Sequence, residues 1–129
     1  MEVDKSNRFN SLDLRLLAVG ISLLVSFFII LNPGLPNDDA YTYIRIAEIT
    51  LSDGFGAATQ YYPWAGYSLL IALISKLGVD LTMSAHLINA FFFSVLVYSF
   101  ISIVNLASSS KSVTVLAAIC ILLLSLIHI

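Results

Sequence analysis

The stretch from Met83 to Leu106, MSAHLINAFFFSVLVYSFISIVNL, contains no Asp, Glu, Lys or Arg. A helix needs roughly 18 to 20 apolar residues to cross about 30 Å of hydrocarbon, so this run is long enough to span a bilayer. Two more runs approach that length, Leu14 to Leu31 and Val113 to Ile129. Arg15 is the one charge in the first of them, close enough to its start to reach the headgroups along its own aliphatic stem. The whole chain agrees with these runs. Hydrophobic residues make up 59% and charged residues 11%, with a mean hydropathy of +0.95, whereas soluble domains carry about 25% charged residues.

The first run follows Lys5 and Arg8, as a secretory signal would. It exceeds the usual apolar core of about 7 to 15 residues, and no A-x-A site follows it, so it reads as a retained anchor. Lys5, Arg8 and Arg15 precede the first run and Lys111 lies between the second and third. The excess of basic residues on these flanks puts the N-terminus and the Ser108 to Ser112 loop in the cytoplasm. The expected division is a cytoplasmic tail at 1–13, spans at 14–31, 83–106 and 113–129, and an extracytoplasmic loop at 32–82. That loop is net acidic, with Asp38, Asp39, Glu48, Asp53 and Asp80 against Arg45 and Lys76.

Several classes are excluded or unsupported. The formal net charge of −2 and the lack of a basic cluster speak against a nucleic-acid partner. Cys120 is the single cysteine, so no intrachain disulfide can form. No N-x-[ST] acceptor, internal repeat or Gly-rich phosphate loop occurs. The third run ends the chain without polar flanking residues, which suggests the N-terminal part of a larger multi-spanning protein. Asn89, Ser94, Tyr98, Ser102 and Asn105 in the second run are expected to seek helix partners outside this sequence. His86 and Asn89, one turn apart, suit an interhelical hydrogen bond.

The loop after the first run is organised. Pro33, Gly34 and Pro36 stop the first helix, and Asn37 is a good N-cap for the next. In the tract Asn37-Asp38-Asp39-Ala40-Tyr41-Thr42-Tyr43-Ile44-Arg45-Ile46-Ala47-Glu48, residues Ala40, Ile44, Ala47 and Leu51 recur at helical spacing and draw one apolar stripe. Such a helix, about four turns long, would lie on the membrane with that stripe down. Arg45 and Glu48 are spaced to pair. Asp53, Gly54 and Gly56 supply the stop. A second short helix is expected over Ser68 to Leu77, after the aromatic cluster Tyr61-Tyr62-Pro63-Trp64 and before Gly78. The expected fold class is thus all-α integral membrane, with three transmembrane helices and two short interfacial helices in the first extracytoplasmic loop.

This order of elements, with Asp38-Asp39-Ala40-Tyr41 just beyond the first span and Tyr62-Pro63-Trp64-Ala65-Gly66-Tyr67-Ser68-Leu69-Leu70 before the second, resembles the start of the GT-C glycosyltransferases. Those multi-spanning enzymes take a sugar from a polyprenyl-phosphate carrier, and include the protein mannosyltransferases and the lipid A aminoarabinose transferases. The likeness covers about Leu14 to Leu106. Trp64-Ala65 stands where members usually have a second proline, and the later spans of a full member are absent.

The resemblance implies transfer of a sugar from a polyprenyl-phosphate donor to a lipid, glycan or protein acceptor at the extracytoplasmic membrane face. A carboxylate in hydrogen-bond reach can take the acceptor's proton as its oxygen attacks the anomeric carbon. The leaving phosphate needs positive charge. By resemblance Asp38 is the base, and Asp39 its support or the ligand of a divalent cation. Arg45 would meet the carrier phosphate, and Tyr41, Tyr62, Trp64 and Tyr67 would line the substrate site. No redox or nucleotide cofactor is implied.

The same residues have plainer readings. Acids in the first turn complement the helix dipole for about 0.3 to 1 kcal/mol each. Arg45 with Glu48 suits a surface pair, and the aromatics suit the headgroup layer. The alternative function is a small non-enzymatic three-helix membrane subunit or scaffold, whose polar stripe binds a larger partner.

Overall fold

The structure is a computed structural model that describes residues 13–32 and 38–127. These residues form six helices and no strand: α1 Leu14–Leu31, α2 Asp38–Ser52, α3 Phe55–Tyr61, α4 Gly66–Ser75, α5 Leu81–Ala107 and α6 Lys111–Ile127. Among the described residues, α1 and α5 are long and apolar enough to cross a membrane. The first matches its expected bounds, and the second starts two residues before Met83. The expected third span corresponds to α6, whose 17 residues reach only about 25 Å at 1.5 Å per residue. Two helices of spanning length are therefore established rather than three.

The chain between the two long helices holds three short helices where two were expected. Helix α3 was missed because its sequence, FGAATQY, carries two alanines and a glycine but no apolar stripe to announce it. Gly54 separates it from α2 with φ +89°, a left-handed conformation that side chains with a Cβ rarely adopt. Gly56 lies inside α3 and has no part in the stop. Gly78, also at φ +89°, lies in the short link between α4 and α5. Asp80 then caps α5, accepting the backbone N–H of Met83 at 3.1 Å through Oδ2. Pro33, Gly34, Pro36 and Asn37 lie outside the described residues.

The described residues divide into two compact units. One is built from α1 up to Val25, α5 from Phe92 and α6. Ala18, Val97, Ile101, Ala118 and Ile121 form its core, small residues on α1 and α6 letting the backbones approach closely. The polar residues of α5 in this unit find partners within the chain, contrary to expectation. Ser94 Oγ lies 3.3 Å from Ser22 Oγ of α1, and Asn105 Oδ1 accepts from Thr114 Oγ1 of α6 at 2.8 Å. Ser102 Oγ donates to the Tyr98 carbonyl at 2.7 Å. The Arg15 guanidinium stacks 5.3 Å from the centre of the Tyr98 ring and donates through Nε to Asp13 Oδ1 at 2.9 Å, so it is held by a carboxylate and a ring together. The guanidinium in turn holds the Asp13 carboxyl below its ordinary range.

The outer surfaces are apolar. Leu16 and Leu24 on α1, Leu96, Ile103 and Leu106 on α5, and Leu116 and Leu123 on α6 are exposed. Such a display is costly in water and ordinary in hydrocarbon, which supports membrane association.

The other unit contains α2, α3, α4 and the first turns of α5. Ala47, Ile71, Ala72 and Ile88 make one cluster, flanked by Tyr43, Tyr67, Ile74, Leu81 and Ala85. Ile46, Ala58 and Ala65 make a second, flanked by Ile49 and Tyr62. Helix α2 therefore buries Ile46 and Ala47 against α3 and α4, while Leu51 of the expected stripe is 39% exposed. Periodicity found an amphipathic helix but misjudged its inner face, because that face is set by the two neighbours rather than by a flat surface.

Candidate functional site

Asp38 and Asp39 form the first turn of α2, where the free N–H groups and the helix dipole favour negative charge. Both are exposed. Behind them the helix is fixed, since Ile46 and Ala47 are fully buried about two turns later. Thr42 Oγ1 donates back to the Asp38 carbonyl at 3.0 Å, tightening that first turn through the backbone. The result is a pair of accessible carboxylates on a rigid mount.

Arg45 does not reach back to these acids. It donates through Nη1 to Glu48 Oε2 at 3.0 Å, the pairing expected from spacing, with its side chain 66% exposed. An exposed pair of this kind contributes little to stability, so the guanidinium can change partner at small cost.

The aromatic residues separate into two groups. Tyr62 and Tyr67 gather about Tyr43 of α2, with ring centres 6.5 Å and 5.2 Å away and both contacts edge to face, a favourable arrangement for ring quadrupoles. Tyr67 also donates its hydroxyl to Asn89 Oδ1 of α5 at 2.8 Å. Burial pushes the Tyr67 phenol above its ordinary range, against the pull of that hydrogen bond. Tyr41 and Trp64 stand apart, 57% and 81% exposed. Sequence reasoning singled out Tyr62, Trp64 and Tyr67 but missed Tyr43 as the ring that joins two of them. The signal was there, because Tyr43 and Ala47 are one turn apart beside Ile46.

A divalent cation is not supported by these residues. Among the described residues no three His, Cys, Asp or Glu side chains come together to hold one. Adjacent helical residues diverge in direction, so Asp38 and Asp39 do not share a face, and hard cations want six or more oxygens.

Comparison with protein-family models, with curated proteins and with solved structures gave no match to this chain.

Proposed function

We propose that this chain is part of a membrane glycosyltransferase of the GT-C type, which takes a sugar from a polyprenyl-phosphate donor and gives it to an acceptor at the extracytoplasmic face. In this reading α1, α5 and α6 all cross the bilayer, the N-terminus is cytoplasmic, and α2, α3 and α4 lie on the outer side, in the cell membrane if the source is prokaryotic. The orientation rests on Lys5, Arg8, Arg15 and Lys111 at the cytoplasmic flanks.

One observation carries the proposal: two adjacent, exposed carboxylates open a helix that is anchored further along by buried Ile46 and Ala47. Helix capping alone accounts for one acid and does not require two. Asp38 accepts the proton of the acceptor hydroxyl while that oxygen bonds to the anomeric carbon. The bond from that carbon to the phosphate oxygen breaks, and its electron pair leaves with the lipid phosphate. Arg45, freed from Glu48, meets the charge that develops there. Asp39 supports the base, and Tyr41, Tyr62, Trp64 and Tyr67 offer faces and hydroxyls to the sugar and carrier.

The alternative of a non-enzymatic subunit drew its force from polar groups on α5 that seemed to lack partners. Ser22, Thr114 and Tyr67 now account for Ser94, Asn105 and Asn89, which weakens that reading. The test is donor-dependent sugar transfer by membranes carrying the protein in its native reading frame. Transfer should vanish in Asp38→Asn while the protein stays inserted.

A further inference from the structure

The helical repeat sends the two acids of α2 to different faces. At 3.6 residues per turn each residue advances by about 100°, so Asp39 stands about 40° from Tyr43 and one turn before it. The same face continues through Ile46 and Ala47, both fully buried. Asp38 stands about 140° from Tyr43 and about 20° from Arg45. That is the outward face of α2, which also carries exposed Tyr41. Of the two acids, Asp39 therefore shares the face on which the tyrosine cluster is built.

The cluster is held by the core and open at two of its hydroxyls. Tyr43 and Tyr67 pack against the buried group of Ala47, Ile71, Ala72 and Ile88, and Tyr62 packs against that of Ile46, Ala58 and Ala65. These contacts fix the three rings. Tyr67 commits its hydroxyl to Asn89. Among the described residues the hydroxyls of Tyr43 and Tyr62 have no hydrogen-bond partner, and neither is a buried unpaired atom, so both open to the surface. Packing alone requires the rings and not these two hydroxyls, since phenylalanine would fill the same space.

We infer that Tyr43 is a sugar-binding residue, and that Asp39 joins it in holding the pyranose ring of the donor through two neighbouring hydroxyls. A carboxylate accepts from two donors at once, which matches adjacent hydroxyls on a sugar. A phenol both donates and accepts, so Tyr43 and Tyr62 meet the ring oxygen or a further hydroxyl. Ligand sites combine an apolar wall with a few fixed polar groups. Here the wall is the edge-to-face tyrosines, and the polar groups are Asp39 and the two phenols. The negative charge of Asp39 repels the carrier phosphate, so the sugar end of the donor belongs on this face and the phosphate on the side of Arg45. The inference takes its ligand from the glycosyltransferase reading and adds Tyr43 to the residues that touch it.

The test is binding, measured apart from transfer. The full chain in lipid nanodiscs is titrated with the methyl glycosides of mannose and of aminoarabinose, and binding is read by saturation-transfer NMR. At least one glycoside should bind saturably. Tyr43→Phe, which keeps the ring packing and should keep the unfolding midpoint, should weaken that binding about threefold or more. Asp39→Asn should weaken it about tenfold or more, because a charged acceptor is lost. Asp38→Asn should weaken it less than Asp39→Asn does, and Asp53→Asn should leave it unchanged. Failure of the unmodified protein to bind either glycoside, unaltered binding by Tyr43→Phe, or equal losses in Asp38→Asn and Asp39→Asn would overturn the inference. Transfer assayed beside binding keeps the two ideas apart. Transfer whose donor KM is unchanged in Tyr43→Phe removes the inference alone, whereas Tyr43-dependent binding without transfer removes the enzymatic reading alone.

Discussion

Tyr67 on α4 donates its hydroxyl hydrogen to Asn89 Oδ1 on α5 at 2.8 Å, across 22 residues of sequence. This bond joins the short helices to a helix of spanning length, and Tyr43 packs edge to face on the same ring. Tyr67→Phe keeps the ring contact and removes the bond, and should cost about 0.5 to 1.5 kcal/mol. The phenol also links stability to pH. Its folded value is raised by burial above the ordinary 10.0, so the folded state holds the proton more tightly than the unfolded chain does. The contribution is complete below about pH 10 and declines as pH rises through the raised value. Denaturant titrations at pH 8 and pH 11 should show that loss in the parent protein and less of it in Tyr67→Phe.

Two fully buried side chains of the same unit should respond in opposite directions. Ile46 packs with Ala58 and Ala65, and Ile46→Ala should cost about 2 to 5 kcal/mol through the cavity it leaves. Ser68 is fully buried and its Oγ has no hydrogen-bond partner among the described residues. Ser68→Ala removes that unmet hydroxyl and should be neutral or stabilise by about 1 kcal/mol. Unfolding midpoints of the two variants, measured side by side in mixed micelles, check the pair of signs.

Much of this architecture is legible from composition and spacing. The bounds of α1, the start of α2 at the acids, the helix before Gly78 and the Arg45 to Glu48 pair all follow from patterns confined to one helix or one turn. What failed depends on contacts between elements. The inner face of α2 is chosen by α3 and α4, and α3 itself has too few apolar residues to betray a period. The polar residues of α5 appeared to need outside partners because Ser22, Tyr67 and Thr114 lie at distant or unremarkable sequence positions. Of the candidate residues, the sequence pointed to Asp38, Asp39, Arg45, Tyr41, Tyr62, Trp64 and Tyr67 and to an interhelical hydrogen bond at Asn89, which Tyr67 supplies, but not to Tyr43 as the ring between Tyr62 and Tyr67.

Gly78 adopts φ +89°, and a Cβ built there meets nothing within 4 Å. Gly78→Ala therefore tests backbone conformation without a steric clash. It should destabilise the unit by about 1 to 2 kcal/mol, because the turn from α4 into α5 needs a left-handed residue. Gly78→Asn should recover part of the loss, since asparagine tolerates that region better. Unfolding midpoints of both variants give the comparison.

Arg45 serves two readings that a single substitution separates. As an exposed partner of Glu48 it contributes less than about 1 kcal/mol, so Arg45→Gln should leave the unfolding midpoint nearly unchanged. As the group that meets the leaving phosphate, its removal should lower sugar transfer at least tenfold, equivalent to about 1.4 kcal/mol of transition-state stabilisation. Glu48→Gln, which frees the guanidinium, should not reduce transfer. Rates and midpoints for both variants decide between a surface pair and a phosphate partner.

The most direct measurement compares the unmodified protein, Asp38→Asn and Asp53→Asn for sugar transfer from polyprenyl-phosphate-linked mannose and aminoarabinose donors, in membranes with matched amounts of inserted protein. Asp53 lies just past the far end of α2, so its variant controls for loss of an acid on the same loop. The expected result is transfer by the unmodified protein and by Asp53→Asn, and none above background by Asp38→Asn. Equal turnover with and without the Asp38 carboxylate, or no transfer by the unmodified protein from either donor, would contradict the glycosyltransferase account.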